Sequence, residues 1–527
     1  MLLVTRPRIP IRCQWLRNLH RHKVPGRVIP GTSAIQSHSF SQLQTFYPDD
    51  HEFFRYTSGR WLRNEEHERS IRYMRFDVNE LCKIASNSCG AEKCVGMKKV
   101  DESGYNRVFL LHFDNGREAV ARIPFPNLGP PHLLTASEVA TLDFVRNAMS
   151  IPAPKVLAWN SRAESTPVGT EFIILEREDL VGYPHTTKIF ADESMENEMT
   201  RKFAIGPHMS AVLWREERDR IDVDRGPWNT SSEYVTGLVR YQQGWLQHFP
   251  KPRRLDDPTY RSAVDNDPKN HIEVLEQCLK VMPHLTPINY SWPAIWHPDL
   301  RGENIFVTKD APHTISGIIN WKFAGIGPFF LQMKVPEAFD YNGSRVELPA
   351  WDDDTGKVKL PDDFESLPDS EKKLVKKEQF EACVHRVFKD ATKKHNPSMH
   401  ALLFHRDFSL MTGMFRCALD SWSWGLAELH MYLLVLSENW ENIAVDDGDC
   451  PLRYSDEENM RIFSEFRRGH VYHRSGSILC ERIGCDDYGR VRDEDYDTAR
   501  ALIKQLKPGW IPEDRGGPYL FETEHES

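Results

Sequence analysis

Residues Pro293–Gln332 read PAIWHPDLRGENIFVTKDAPHTISGIINWKFAGIGPFFLQ. His297, Asp299 and Asn304 stand in the spacing H-x-D-x-x-x-x-N, and Gly317-Ile318-Ile319-Asn320-Trp321 follows them. The apolar run Ala294–Trp296 predicts a short strand that leads into a loop. Ile305–Val307 predicts a second strand, paired across a short turn with Thr314–Ile319. A polar loop framed by two strands would bring a carboxylate and two amides to one place.

Those residue types suit phosphoryl transfer. The reaction asks mainly for positioning and charge neutralisation, so one carboxylate beside the nucleophile suffices. Asp299 can accept the proton of an attacking hydroxyl or orient it. Asn304 can offer its amide oxygen to a magnesium ion. Arg301, two residues after Asp299, is placed to reach the transferred phosphate, whose developing charge suits a cation. His297 fits a packing and hydrogen-bonding role within the loop.

Upstream, the pattern becomes a small sheet. Val95–Val100, Arg107–Phe113 and Glu118–Ile123 predict three strands. Asp114-Asn115-Gly116 joins the last two, and Asn-Gly supplies the positive φ angles of a tight hairpin. Thr135–Met149 predicts a helix with Val139, Leu142 and Val145 on its apolar stripe. Val156–Trp159 and Phe172–Leu175 predict two further strands. Ser103-Gly104-Tyr105-Asn106 is a turn able to cover nucleotide phosphates, although it holds a single glycine. Arg122 lies on the third strand and Glu138 on the helix. A cation there can hold phosphate oxygens while the carboxylate holds the cation. Ahead of the sheet, aromatics cluster from Phe53 to Phe76, and Asn79–Ala85 predicts a helix.

After about Leu180 the chain predicts helices: Met195–Asp224, Glu233–His248, His271–Met282, Leu374–Lys394, Met411–Glu438, Met460–Arg468 and Asp495–Gln505. Phe380, Val384 and Val387 are expected to face inward from the fourth of these. Trp351–Lys372 reads as an exposed loop, and the residues after Pro512 as a frayed acidic tail.

The first 48 residues stand apart. They carry Arg6, Arg8, Arg12, Arg17, Arg21, Lys23 and Arg27, with no acidic residue before Asp49. An Arg-rich, Ser-containing, acid-free leader has the composition of a mitochondrial transit peptide. Over all 527 residues, 67 Lys and Arg face 77 Asp and Glu, a net charge of −10, which argues against a general nucleic-acid partner. No run of eighteen apolar residues occurs, so no transmembrane segment is expected. The 10 cysteines show neither C-x-x-C pairs nor zinc-type spacing, and read as reduced thiols.

HPDLRGENIFV followed by GIINW resembles the aminoglycoside phosphotransferase family in its large fungal branch. YNRVFLLHFDNGREAVARIP, GPPHLLTASEVATLDFVRN and IPAPKVLAWNSR strengthen the likeness, which runs from about Phe53 to the end. The resemblance implies an α+β, bilobal protein-kinase-like fold. Its N-lobe, residues 49–180, would be a small antiparallel sheet with one helix. Its C-lobe, residues 181–527, would be large and mainly helical. It further implies ATP in the cleft and transfer of its γ-phosphoryl group to a small-molecule hydroxyl. Asp299 would be the base and Asn304 a metal ligand. Arg122 would stand for the phosphate-binding lysine, Glu138 for its helix partner, and Asn320 for the second ligand of Mg2+. The backbone near Glu176 would be the adenine-binding hinge.

Two departures bear on activity. Arg122 replaces the usual lysine with a bulkier planar fork. Asn320 replaces the usual aspartate and removes a negative charge from a site whose metal favours carboxylates. Glu303 is the neighbour available to compensate. Two readings follow: a mitochondrial small-molecule kinase, or a pseudokinase, nucleotide-binding or empty, that acts through protein partners.

Overall fold

The computed structural model describes residues 43–521, apart from 45, 103, 127–128, 178–202, 215, 254–259, 261, 309, 312–313, 342, 344, 350–356, 405, 447 and 487. The expected transit peptide lies outside the described residues. Aromatics of the entry segment, Phe53, Phe54 and Phe76, are buried in the core of the small lobe.

Five strands build that lobe's antiparallel sheet: β1 (Cys94–Glu102), β2 (Asn106–Phe113), β3 (Glu118–Pro124), β4 (Val156–Asn160) and β5 (Phe172–Glu176). Their spatial order is β1-β2-β3-β5-β4. The β2–β3 hairpin closes at Asn115-Gly116, where Gly116 takes φ 80° but Asn115 does not share the positive φ that a paired Asn-Gly turn would give it. Strand alternation then sorts the side chains between two faces. Ala119, Ala121, Ile123, Phe172 and Ile174 turn to one face, where α1 (Val78–Ser88) supplies Leu81, Cys82 and Ala85. Val120, Ile173 and Leu175 turn to the other, against α2 (Leu133–Asn147). Arg122 has the parity of Val120, so it faces α2 and the cleft.

The second lobe is helical. α3 (Ser231–His248) and α4 (Pro268–Leu285) pack on each other, capped by Thr230 and Asp267. After α5 (Asp369–His395) and α6 (Pro397–Leu403), α7 (Arg406–Leu419), α8 (Leu426–Glu438) and α9 (Asp456–Ile483) follow. α3, α4, α7 and α8 share one large core around Leu275, Met414, Leu429 and Leu433. α9 starts with a full capping box between Ser455 and Glu458. The whole is a bilobal α+β arrangement, a small antiparallel-sheet lobe joined to a large, mainly helical one.

Four expectations need correcting. The described part of Met195–Asp224 is not a helix: residues 203–230 run as coil with two short 3-10 turns, Ala211–Leu213 and Glu216–Arg220. Gly206-Pro207 interrupts the helical period there. On α5 the apolar stripe is rotated. Val375, Ala382 and Lys389, at a seven-residue spacing, are buried, whereas Phe380 and Val387 are exposed. The chain end is not frayed through Phe521. Tyr519 and Phe521 are buried against α9 and α10 (Tyr496–Leu506), and Arg60–Trp61 pairs with Arg490–Val491. Apolar burial outweighs the acidic composition there. Part of the expected loop Trp351–Lys372 is also ordered: Val358, Leu360 and Phe364 join Tyr341, Val346 and Val375 in a small cluster.

Candidate active site

Two strand pairs carry the site. β6 (Pro293–Trp296) pairs with β9 (Gly325–Pro328), and β7 (Ile305–Val307) pairs with β8 (Ile315–Ile318). The expected strands on either side of the loop are therefore present, and β9 is an addition. Trp321 and Ala324, just past β8, are buried with Leu142, Val145, Ile173 and Leu175 of the small lobe. Burial of one large aromatic on this scale fixes the second lobe's loop against the first lobe's sheet.

His297 has the packing role expected of it. Its Nε2 donates to the Ile319 carbonyl at 2.8 Å and its Nδ1 accepts from the Asp299 amide at 3.2 Å. The ring also meets Trp321 edge-on, with centroids 4.7 Å apart. Burial holds its pKa below the ordinary histidine value, so the neutral tautomer that this pattern requires is favoured.

The loop residues converge on Asp299. Its Oδ2 accepts from Arg301 at 2.8 Å, from the Asn304 amide at 3.2 Å and from the Asn320 amide at 3.5 Å. Asn304 is buried and also donates to the Asp299 carbonyl at 2.7 Å, which sets the turn of the loop. Asn320 has φ 70°, a left-handed conformation that Asn holds at low cost. Phe323, at φ 63°, is the bulky outlier beside it, and such strain persists where surrounding packing imposes it.

Across the cleft, Arg122 NH1 pairs with Glu138 at 2.5 Å, and both side chains are mostly buried. The other guanidinium nitrogen of Arg122 donates to Asn320 Oδ1 at 3.4 Å. Five of the expected residues, Asp299, Arg301, Asn304, Asn320 and Arg122, thus form one connected chain, with Glu138 at its end. Gly104 lies in the turn between β1 and β2, and a Cβ there would meet nothing within 4 Å. Glu176 ends β5, where its amide donates to the Lys155 carbonyl at 2.9 Å.

One residue was missed from the sequence. Lys322 is 4 % exposed, and its ammonium donates to the Tyr105 carbonyl at 3.2 Å. That carbonyl also accepts from the Phe125 amide at 3.1 Å, and the Tyr105 and Phe323 rings meet edge-on. Desolvation pushes the Lys322 pKa down to about 7, against an upward pull from Glu138. The available signal was its setting: one lysine inside the otherwise apolar run Trp321-Lys322-Phe323-Ala324.

The donor set does not fit a resident magnesium. Asp299 is its one carboxylate and already receives Arg301, while the Asn320 amide oxygen already receives Arg122. Glu303 is exposed and does not fill the place of the missing charge. Among the described residues no three His, Cys, Asp or Glu side chains gather into a metal-holding group. Magnesium strongly prefers carboxylate and water oxygens, so a guanidinium on a ligand amide works against it.

A well-formed cavity of about 320 Å³ lies elsewhere, in the helical lobe, lined by His208, Tyr234, Leu238, Gln332, Glu428 and Tyr432 among others. None of the loop residues lines it. The chemistry, rather than this cavity, marks the site.

No family model matches the chain. A subtelomeric hrmA-associated cluster protein of Aspergillus fumigatus is 26 % identical over 492 residues, spanning 80 % of this chain and 94 % of the relative. Altered inheritance of mitochondria protein 9, mitochondrial, from Yarrowia lipolytica is 23 % identical over 377 residues, spanning 58 % of this chain and 64 % of that protein. The protein of that name from Saccharomyces cerevisiae is 21 % identical over 413 residues, spanning 56 % and 64 %. The chain is similar to fungal altered inheritance of mitochondria protein 9. These relatives carry the mitochondrial designation in their names, in agreement with the address expected of the basic leader. Among solved structures, a putative fructosamine-3-kinase from Thermobifida fusca matches at 14 % identity and TM-score 0.33, covering 68 % of this chain and 97 % of that one. A putative aminoglycoside phosphotransferase from Ralstonia eutropha matches at 13 % and 0.33, covering 75 % and 95 %. Among the described residues no helix is long and apolar enough to cross a membrane.

Proposed function

We propose that this chain is a mitochondrial phosphotransferase that moves the γ-phosphoryl group of ATP to a hydroxyl of a small molecule. One observation carries the reading: the Asp299 carboxylate, held by Arg301, Asn304 and Asn320, is linked through Asn320 to the Arg122–Glu138 pair of the facing lobe. That link supports reading Asp299 as the proton acceptor and Arg122 as the phosphate-binding cation of one cleft.

In this reading ATP lies under the turn at Gly104, with its adenine at the backbone near Glu176. Arg122, oriented by Glu138, takes phosphate oxygens. The acceptor hydroxyl approaches Asp299, which takes its proton as the O–P bond forms and the bond to the β-phosphate oxygen breaks. Arg301 neutralises charge at Asp299 and at the transferred group. A divalent ion, when present, would arrive with the nucleotide and add charge neutralisation. The names of the relatives suggest that the product serves mitochondrial maintenance or inheritance.

A second reading has its own support. Arg122 on the Asn320 oxygen occupies the group that would ligate the metal, which suits a nucleotide-binding module acting through a protein partner. ATP hydrolysis by the purified chain, compared with Asp299→Asn, separates the two. Turnover that disappears in the variant supports the enzyme. Nucleotide binding with no turnover in either protein supports the module.

A further inference from the structure

Lys322 has no part in that scheme. Lys322 is two residues past Asn320, and its buried ammonium interacts electrostatically with Glu138 and Arg122. Among the described residues its single hydrogen bond is to the Tyr105 carbonyl at 3.2 Å, and no carboxylate lies within ion-pair reach. Of the two acidic groups that act on it, Glu138 is held by Arg122 at 2.5 Å and Glu171 accepts from the His132 amide at 2.8 Å, while the Phe323 ring lies 5.8 Å away. Two of the three N–H groups of Lys322 are therefore unspent. A buried cation with so few partners carries a desolvation cost that an anion in the cleft would offset. A latch to Tyr105 alone would need one donor and no charge.

Its neighbours name the anion. Tyr105 belongs to the turn between β1 and β2, and Asn320 to the loop turn of the second lobe. Lys322 bridges these two through its bond to the Tyr105 carbonyl, close enough to Arg122 and Glu138 to interact with both charges. Arg122, on the sheet, presents a second buried cation to the same space. Beside the Asp299 carboxylate, this cleft holds the Asn320 amide where a second metal-binding carboxylate would stand, together with the cations Arg122 and Lys322. That charge pattern suits a bare polyphosphate rather than a metal chelate.

We infer that Lys322 is a phosphate-binding residue of the cleft, and that together with Arg122 it allows this chain to hold a nucleoside triphosphate without a divalent metal. The inference rests on the nucleotide-binding reading above and adds to it the metal-free mode and the residue responsible.

Calorimetric titration of the full chain tests this with two probes, ATP in EDTA and adenosine, using wild type, Lys322→Met and Lys322→Arg. Wild type is expected to bind ATP in EDTA. Lys322→Met should bind it roughly tenfold or more weakly, the scale of one lost charge-assisted hydrogen bond, with adenosine affinity unchanged. Lys322→Arg should recover part of the loss. A thermal melt without ligand verifies that the variants fold. Equal ATP affinity in wild type and Lys322→Met overturns the inference while leaving the nucleotide site standing. So does ATP binding by wild type only with added Mg2+, or a parallel loss of adenosine binding in Lys322→Met, which would mark a structural latch. Failure of wild type to bind adenosine or ATP under any condition overturns the nucleotide reading and this inference together.

Discussion

Arg122 and Asn320 meet across the cleft, guanidinium nitrogen to amide oxygen, at 3.4 Å. One residue comes from the third strand of the small sheet, the other from the turn after β8. Each is the departure from the resembled family at its own position. Their contact makes the two departures one feature: a bulky planar cation reaches a side chain that has no charge with which to pull it away from phosphate.

Asn320→Asp tests that feature. A carboxylate there would draw Arg122 and would also supply the charge a magnesium ion prefers. The expected outcome is faster ATP hydrolysis with a stronger dependence on Mg2+, read as a fall in the Mg2+ concentration that gives half-maximal rate. Unchanged rates across a Mg2+ titration would show that the missing charge does not limit turnover.

Glu138 neutralises Arg122 in a largely buried pair. Glu138→Gln leaves the guanidinium unmatched and should lower stability by about 3 kcal/mol, measured as a shift in the urea midpoint. The double variant with Arg122→Met should lose less than the sum of the single losses, because removing both charges removes the mismatch. Additive losses would show that the pair is not coupled.

Much of this arrangement was legible. The loop was readable because H-x-D-x-x-x-x-N and the apolar runs beside it are local signals, and strand period alone puts Arg122 on the α2 side of the sheet. The rest depends on long-range packing. Nothing near Phe380 tells which side of α5 faces the protein, since the stripe Val375-Ala382-Lys389 contains a lysine. The strand pairing of β6 with β9 joins residues about thirty apart, and the Lys322–Tyr105 contact spans both lobes. Over Met195–Asp224 scattered apolar residues mimic a helical period until the Gly206-Pro207 break is given its weight.

Trp321 is the apolar bond between the loop and the small lobe, 4 % exposed among Leu142, Val145 and Ile173. Trp321→Ala should cost about 3–5 kcal/mol by leaving a cavity. It also frees the edge contact with His297, so any ATP-dependent activity should fall further than stability alone explains at a temperature where the variant remains folded. Full specific activity in the folded variant would separate the lobe contact from the chemistry.

His430 on α8 gives a pH dependence. It is buried, and its pKa is held down to about 4, first by desolvation and then by Arg461 and His271, with Asp265 and Glu458 pulling upward. The unfolded chain takes a proton near pH 6.5 that the folded chain refuses until about pH 4. Stability is therefore full above pH 6.5 and falls as pH drops from there toward 4, by about 3 kcal/mol from this group. Urea unfolding across that window should show a shallower slope for His430→Leu than for wild type. An identical slope would remove His430 as its source.

The most direct test of the account is transfer itself. The purified chain is incubated with γ-labelled ATP and a mitochondrial small-molecule extract, beside Asp299→Asn. The account predicts a labelled small-molecule product from wild type, reduced about a hundredfold or more in the variant. No product from wild type, or equal product from both proteins, would contradict it.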